Sequence, residues 1–208
     1  MPGAEQANRG PRWAGVDVGA GKGFDVAVVD ERGLVAGPTR LGAVQEVALW
    51  LRRQQPRVVA VDSPRSPARE GELSRQCERE LVRAGVCGIR YTPNARELGR
   101  NASYYAWIAN GLELYRALAR ASPRWELIEC FPTATWSRLG GRRGRHPRAR
   151  WSGQVLHGLG LRGLPARINQ DARDAIGAAV TARLYDAGAT ESFGEIVVPL
   201  AREAASEL

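Results

Sequence analysis

The chain has 208 residues, 44% of them hydrophobic and 25% charged, a balance that suits one substantial core and excludes a fibrous repeat or a wholly disordered chain. Its formal net charge of +8 points to a polyanionic partner. Of the 30 basic residues, 29 are arginines, a bias that a GC-rich coding background also produces, and Lys22 is the one lysine.

In chain order, residues 1–11 are small and polar and read as a disordered lead. "WAGVDV", "FDVAVVD" and "GLVAG" then read as a three-stranded antiparallel meander, with turns at "GAGKG" and "DERG". "GAVQEVALWLRRQQ" carries Val44, Val47, Ala48 and Leu51 at helical spacing and stops at Pro56. "RVVAVDSP" is a short, almost wholly apolar strand, the pattern of a strand covered on both faces. Residues 72–84 read as a helix closed by Gly85, and "VCGIRYTP" as a further strand. "ASYYAWIANGLELYRALARA" makes a long amphipathic helix, and "WELIECFP" another strand with an acid near its end. An arginine-rich insertion occupies 138–150. "NQDARDAIGAAVTARLYDAG" is a strong helix with Asn169 as its N-cap and Gly188 at its close. Residues 201–208 read as a tail, leaving 12–200 as one α/β domain with a mixed sheet flanked by helices.

No apolar run reaches the ~18–20 residues that a membrane helix needs, and the N-terminus lacks a signal-peptide core, so a cytoplasmic protein with no membrane partner is expected. Cys77, Cys87 and Cys130 are odd in number and show no C-x-x-C spacing, which favours free thiols over a disulfide framework or a zinc site. His146 and His157 lie far in sequence from most of the relevant acids, which disfavours a histidine relay.

Several acids fall where burial would normally exclude them. Asp17 sits inside the first strand, Asp62 and Glu129 near the ends of apolar strands, and Asp171 and Asp174 three apart on one face of the last helix. Any one of them suits a turn former or a cap. As a set, ionised carboxylates brought together in low dielectric repel, and the usual remedies are a cation or a raised pKa. Hard oxygen ligands with neither Cys nor His nearby select Mg²⁺ or Mn²⁺.

The glycines around Lys22 invite a nucleotide-loop reading. A Walker A loop needs Ser or Thr after its lysine, and here Gly23 follows; a dinucleotide fingerprint opens a helix, and here a strand follows. A hairpin turn using glycine for positive φ is the reading left. From it Lys22 either touches a phosphate or is merely solvated.

The blocks "GVDVGAGKGFDVAVVD", "VVAVDSP", "ECFPTATW" and "NQDARDAIGAAVTA", in that order, resemble the domain of unknown function 429 family, predicted ribonuclease H-like nucleases. The resemblance spans residues 13–199 in scattered blocks and implies a ribonuclease H-like fold. It further implies Asp17, Asp62, Glu129 and the pair Asp171 and Asp174 as metal ligands, with Asp174 preferred within the pair because it opens "DAIGAA".

The function expected is Mg²⁺- or Mn²⁺-dependent hydrolysis of nucleic-acid phosphodiesters, with Asp17 between two ions ~3.5–4 Å apart. Asp62, Glu129 and Asp174 complete the shells, and Lys22 neutralises the scissile phosphate. Arg142, Arg143, Arg145, Arg148 and Arg150 either hold the flanking backbone or are a solvated loop in an arginine-biased chain. Two alternatives stand: a phosphotransferase related to the actin and sugar-kinase superfamily, and a non-catalytic nucleic-acid-binding module of the same fold. DNA against RNA, and monomer against homodimer, are left open.

Overall fold

The computed structural model describes residues 10–201, so the expected lead and tail lie almost wholly outside the described residues. Seven strands form one sheet: β1 (Trp13–Val18), β2 (Phe24–Val29), β3 (Leu34–Leu41), β4 (Val58–Asp62), β5 (Glu126–Cys130), β6 (Thr190–Phe193) and β7 (Ile196–Pro199). Their order is β3-β2-β1-β4-β5-β7-β6. β1, β4, β5 and β7 run parallel, while β2 is antiparallel to both its neighbours and β6 to β7. An antiparallel meander continued by parallel strands is the ribonuclease H-like arrangement expected from the sequence.

Among the described residues seven helices accompany the sheet: α1 (Val44–Gln54), α2 (Gln76–Arg83), α3 (Ala95–Arg100), α4 (Ala106–Ala121), α5 (Pro132–Gly140), α6 (Arg148–Gly158) and α7 (Gln170–Asp186). Successive strand residues face opposite sides. Ala14, Val16, Val18, Val59 and Val61 therefore pack with Leu51 of α1 and with Leu114 and Leu118 of α4. On the other face Trp13, Val58, Ala60, Ile128 and Cys130 meet Ala178, Ala179 and Ala182 of α7. Coverage on both faces explains why the parallel strands read as continuous apolar runs.

The small residues of α7 have a packing cause. A Cβ at Gly15 of β1 would lie 2.1 Å from the Ala175 carbonyl oxygen and 2.2 Å from the Ala179 nitrogen. Helix and strand thus meet backbone to backbone. The outer side of α7 is covered by Trp136 of α5 and by Trp151 and Leu156 of α6, and a Cβ at Gly177 would lie 2.5 Å from the Trp136 ring. Asn169 caps α7 by accepting the Ala172 N–H at 2.8 Å. Both the cap and the close packing fix where the first turn of α7 stands above the sheet.

The structure departs from the sequence expectation in four places. Residues 86–93 form no strand; the Thr92 N–H goes instead to the two Glu78 carboxylate oxygens, at 3.2 and 3.0 Å, so a side chain does the work of a ladder partner. α2 begins at Gln76 rather than at 72, because the preceding residues turn Arg75 inward. The arginine-rich segment is irregular only over 141–147, its ends belonging to α5 and α6. The helices α3, α5 and α6 and the β6–β7 hairpin carry no strong periodic signal; α5 opens with Pro132 in its first turn, where a missing N–H costs nothing.

Candidate metal centre

The β1–β2 hairpin pairs Asp17 with Asp25, and the parallel β1–β4 ladder pairs Asp17 with Asp62. Three aspartates consequently stand in one row across β2, β1 and β4. The row faces α7, whose first turns add Asp171 and Asp174 from one helical face. Carboxylate oxygens of Asp17, Asp25 and Asp171 all lie within 4.8 Å of one another. Asp17 and Asp62 share a side-chain hydrogen bond.

Such crowding has electrostatic consequences. Burial, and then the charges of Asp174, Asp171 and Asp25, push the Asp17 carboxyl up to about 8. Asp62 is raised well above the carboxylate range by burial and by the charge of Asp17. Asp174 is also raised by burial, against which the nearby Arg148 acts.

Basic and neutral donors hold the periphery. Arg40 of β3, paired with Asp25 across the ladder, donates Nε at 2.9 Å and Nη2 at 2.7 Å to Asp25 Oδ2, and Nη2 also reaches Asp171 Oδ2 at 2.8 Å. Asp174 accepts from Trp136 Nε1 at 3.0 Å, from Gln170 Nε2 at 2.9 and 3.1 Å, and from Arg148 Nη2 at 2.9 Å. Lys22 Nζ stands 3.8 Å from Asp171 Oδ2 on a side chain 73% exposed. The donors gathered here, Asp17, Asp25 and Asp171 within 4.8 Å of one another with Asp62 and Asp174 beside them, are all carboxylate oxygens, a chemistry that fits a hard divalent cation such as Mg²⁺ or Mn²⁺.

Glu129 requires correction. Its ladder partner is Val61, one residue before Asp62, so period two sends its side chain to the opposite face. There Arg75 Nη1 donates to its Oε2 at 2.8 Å, Arg75 Nη2 holds Oε1, and the Arg65 N–H reaches Oε2 at 2.8 Å. Burial raises its pKa and Arg75 opposes the rise. Its lone pairs serve a buried ion pair, so it drops out of the ligand set.

The arginine cluster divides. Arg148 opens α6 and reaches Asp174, whereas Arg142 donates to the Gly85 carbonyl at 3.1 Å, and Arg143, Arg145 and Arg150 are exposed. The glycines around Lys22 form a hairpin turn: the Gly19 N–H bonds the Gly23 carbonyl at 2.9 Å, and Gly23 has φ +81°. Asn110 of α4 donates to the carbonyls of Gly19 and Ala20. Nothing in the turn is arranged as a phosphate cradle. Cys77, Cys87 and Cys130 are free thiols.

Asp25 and Arg40 were not singled out by the sequence reading. A signal for Asp25 exists: a hairpin centred on Gly21 places it directly across from Asp17. Arg40 follows only once the β2–β3 register is known, and that register is shifted by irregularities between Val26 and Val29.

Two solved structures are similar to this chain. The "Thermus thermophilus RuvC structure" aligns at TM-score 0.49 and 20% identity, covering 85% of this chain and 96% of that one. "T. thermophilus RuvC in complex with Holliday junction substrate" aligns at TM-score 0.49 and 18% identity, covering 86% and 96%. At such identities the likeness concerns the fold and assigns no activity. No family model matches the chain, so the resemblance to the domain of unknown function 429 family stands on its motif blocks alone. No curated protein matches it in sequence. Among the described residues no helix is long and apolar enough to cross a membrane.

Proposed function

We propose that the protein is a Mg²⁺- or Mn²⁺-dependent nuclease that hydrolyses nucleic-acid phosphodiesters at the aspartate row. The observation that carries this reading is the alignment of Asp25, Asp17 and Asp62 across three adjacent strands beneath Asp171 and Asp174. Asp17 is central to the group, and Asp62, Asp171 and Asp174 are the flanking ligands. When bound there, a divalent ion supplies Lewis acidity toward a phosphoryl oxygen and acidifies a coordinated water.

The chain's own residues do the rest. Trp136 and Gln170 fix the Asp174 carboxylate, and Arg40 fixes Asp25 and Asp171, so the acids are oriented before any ligand arrives. Asp62 would hold the ion as a carboxylate, beside Asp17 on the neighbouring strand. Lys22 is free enough to reach a phosphate oxygen from the hairpin turn. The exposed Arg143, Arg145 and Arg150 contact flanking phosphates without reading sequence.

The test is cleavage of labelled single-stranded DNA, duplex DNA, RNA, an RNA·DNA hybrid and a four-way junction, in Mg²⁺ and in Mn²⁺. Metal-dependent cleavage that falls roughly 10²–10³-fold or more in Asp17→Asn and Asp62→Asn supports the reading. No cleavage of any substrate, with hydrolysis of ATP instead, returns the phosphotransferase alternative.

A further inference from the structure

Beside Asp62 the fold leaves a cavity of about 350 Å³, walled by Ser63, Ile89, Thr92, Trp107, Phe131 and Arg148 among others. Its size is at the lower end of ligand cavities, which run from about 300 to 1,000 Å³. Two of its wall residues, Ser63 and Thr92, are 3% and 1% exposed, and their side-chain hydroxyls are buried with no hydrogen-bond partner. Buried hydroxyls are nearly always paired, and of these two the Ser63 Oγ packs against α4, which leaves Thr92 as the unpaired hydroxyl of the cavity wall. Ser63 is accommodated by Gly111 of α4, where a Cβ would lie 1.8 Å from the Ser63 Oγ.

The remaining walls restrict what the cavity can hold. Trp107 and Phe131 are half-buried aromatic surfaces, suited to a flat ring. Arg75, Glu78 and Glu129 also line the cavity, and their mutual ion pairs make that wall rigid. At the rim Arg90 lies 5.4 Å from the Tyr104 ring centroid, and Tyr104 is 56% exposed. A second cavity, about 380 Å³ on the far side of Arg75, has no aromatic wall and none of the clustered aspartates.

We propose that the cavity beside Asp62 receives the nucleobase of an unstacked nucleotide whose phosphate lies at Asp17 and Asp62. The proposal rests on the nuclease reading and names its substrate class: single-stranded nucleic acid, or a nucleotide drawn out of a duplex. Asp62 and Arg148 each belong both to the acid cluster and to the cavity wall, so a phosphate at one places its base at the other. Aromatic faces accept any base by stacking, and a hydroxyl that donates or accepts suits a base edge. Arg90 over Tyr104 adds a cation and a ring at the rim, toward solvent.

The experiment uses Asp17→Asn protein and single-stranded oligonucleotides in which 2-aminopurine is walked one position at a time, together with free nucleoside 5′-monophosphates. Stacking in the cavity quenches the probe by about twofold or more on binding, at whichever position occupies the cavity. Adding Trp107→Ala removes that response and Trp107→Phe restores it, while Thr92→Val weakens monophosphate binding. No quenching on binding at any position, or an unchanged response in Trp107→Ala, overturns the proposal. Metal-dependent cleavage by the unsubstituted protein without a Trp107-dependent response overturns this proposal alone. Trp107-dependent monophosphate binding with no cleavage of any nucleic acid supports the cavity and overturns the nuclease reading.

Discussion

Asp17 and Asp62 are ladder partners on adjacent parallel strands, and their carboxyls lie within hydrogen-bonding reach of each other on the face that α7 covers. Strand pairing, rather than any local motif, brings the two acids together.

The first prediction concerns pH. The Asp17 carboxyl is raised from an ordinary value of 3.8 to about 8, so the folded metal-free protein favours the protonated form. The contribution is complete below about pH 4, where both states are protonated, and is lost as pH rises through about 8. Asp62, Asp174 and Glu129, all raised, act in the same direction. In chelator the melting temperature therefore falls between about pH 5 and 8, and millimolar Mg²⁺ raises it more at the upper end. Calorimetry at both pH values measures this; a Mg²⁺ effect larger at low pH contradicts it.

Asp62→Asn removes one of the crowded acids while keeping its shape. In chelator we expect this variant to be more stable than the parent by on the order of 1 kcal/mol, a shift of about 2–4 °C for a chain of this size. Its response to Mg²⁺ is lost. Thermal melts with and without metal give both numbers, and a destabilised variant that still responds to Mg²⁺ would refute the ligand assignment.

Packing positions the site as much as charge does. Gly15→Ala drives a methyl into the α7 backbone at Ala175 and Ala179, where no flexible side chain can yield. Overpacking of this kind costs about 1–3 kcal/mol or more, and here it also lifts Asp171 and Asp174 off the aspartate row. The urea midpoint should fall, and Mn²⁺ affinity should fall in protein that remains folded.

The Arg75 guanidinium is ion-paired with both Glu78 and Glu129 in the interior. Arg75→Ala strands both carboxylates and should cost about 3–5 kcal/mol, read as a reduced urea midpoint. Were Glu129 a metal ligand, Mg²⁺ would recover much of that loss; with the ion pair as its role, metal recovers little.

Binding to nucleic acid should weaken steeply with salt. Replacing Arg143 and Arg145 together by Ala should flatten the slope of log K against log salt by about 2 units, with little change in sequence preference. Filter binding or anisotropy across a salt series measures the slope, and an unchanged slope marks these arginines as a solvated loop.

Much of this fold was legible in the residues. The meander, the apolar parallel strands, α1, α4 and α7 each carry their period or their caps locally, and Asp17, Asp62, Asp171 and Asp174 could be found as acids placed where burial disfavours them. Glu129 shows why the rest was harder. It resembles Asp62 as an acid near the end of an apolar strand, yet stands one residue out of phase, and strand parity puts it on the other face. Asp25 lay hidden for the converse reason: an acid in an alternating strand reads as solvent-facing until the hairpin register sets it against Asp17. The arginine partners Arg40, Arg75 and Arg148 depend on tertiary placement, and in a chain with 29 arginines composition cannot single them out.

The most direct test of the central claim is a crystal structure with Mn²⁺, located by its anomalous scattering. The expected result is a peak coordinated by Asp17 together with Asp62, Asp171 or Asp174, with Arg40 or Arg148 displaced from the acid it binds without metal. A well-ordered structure at millimolar Mn²⁺ with no peak at Asp17, and both arginine ion pairs intact, would contradict it.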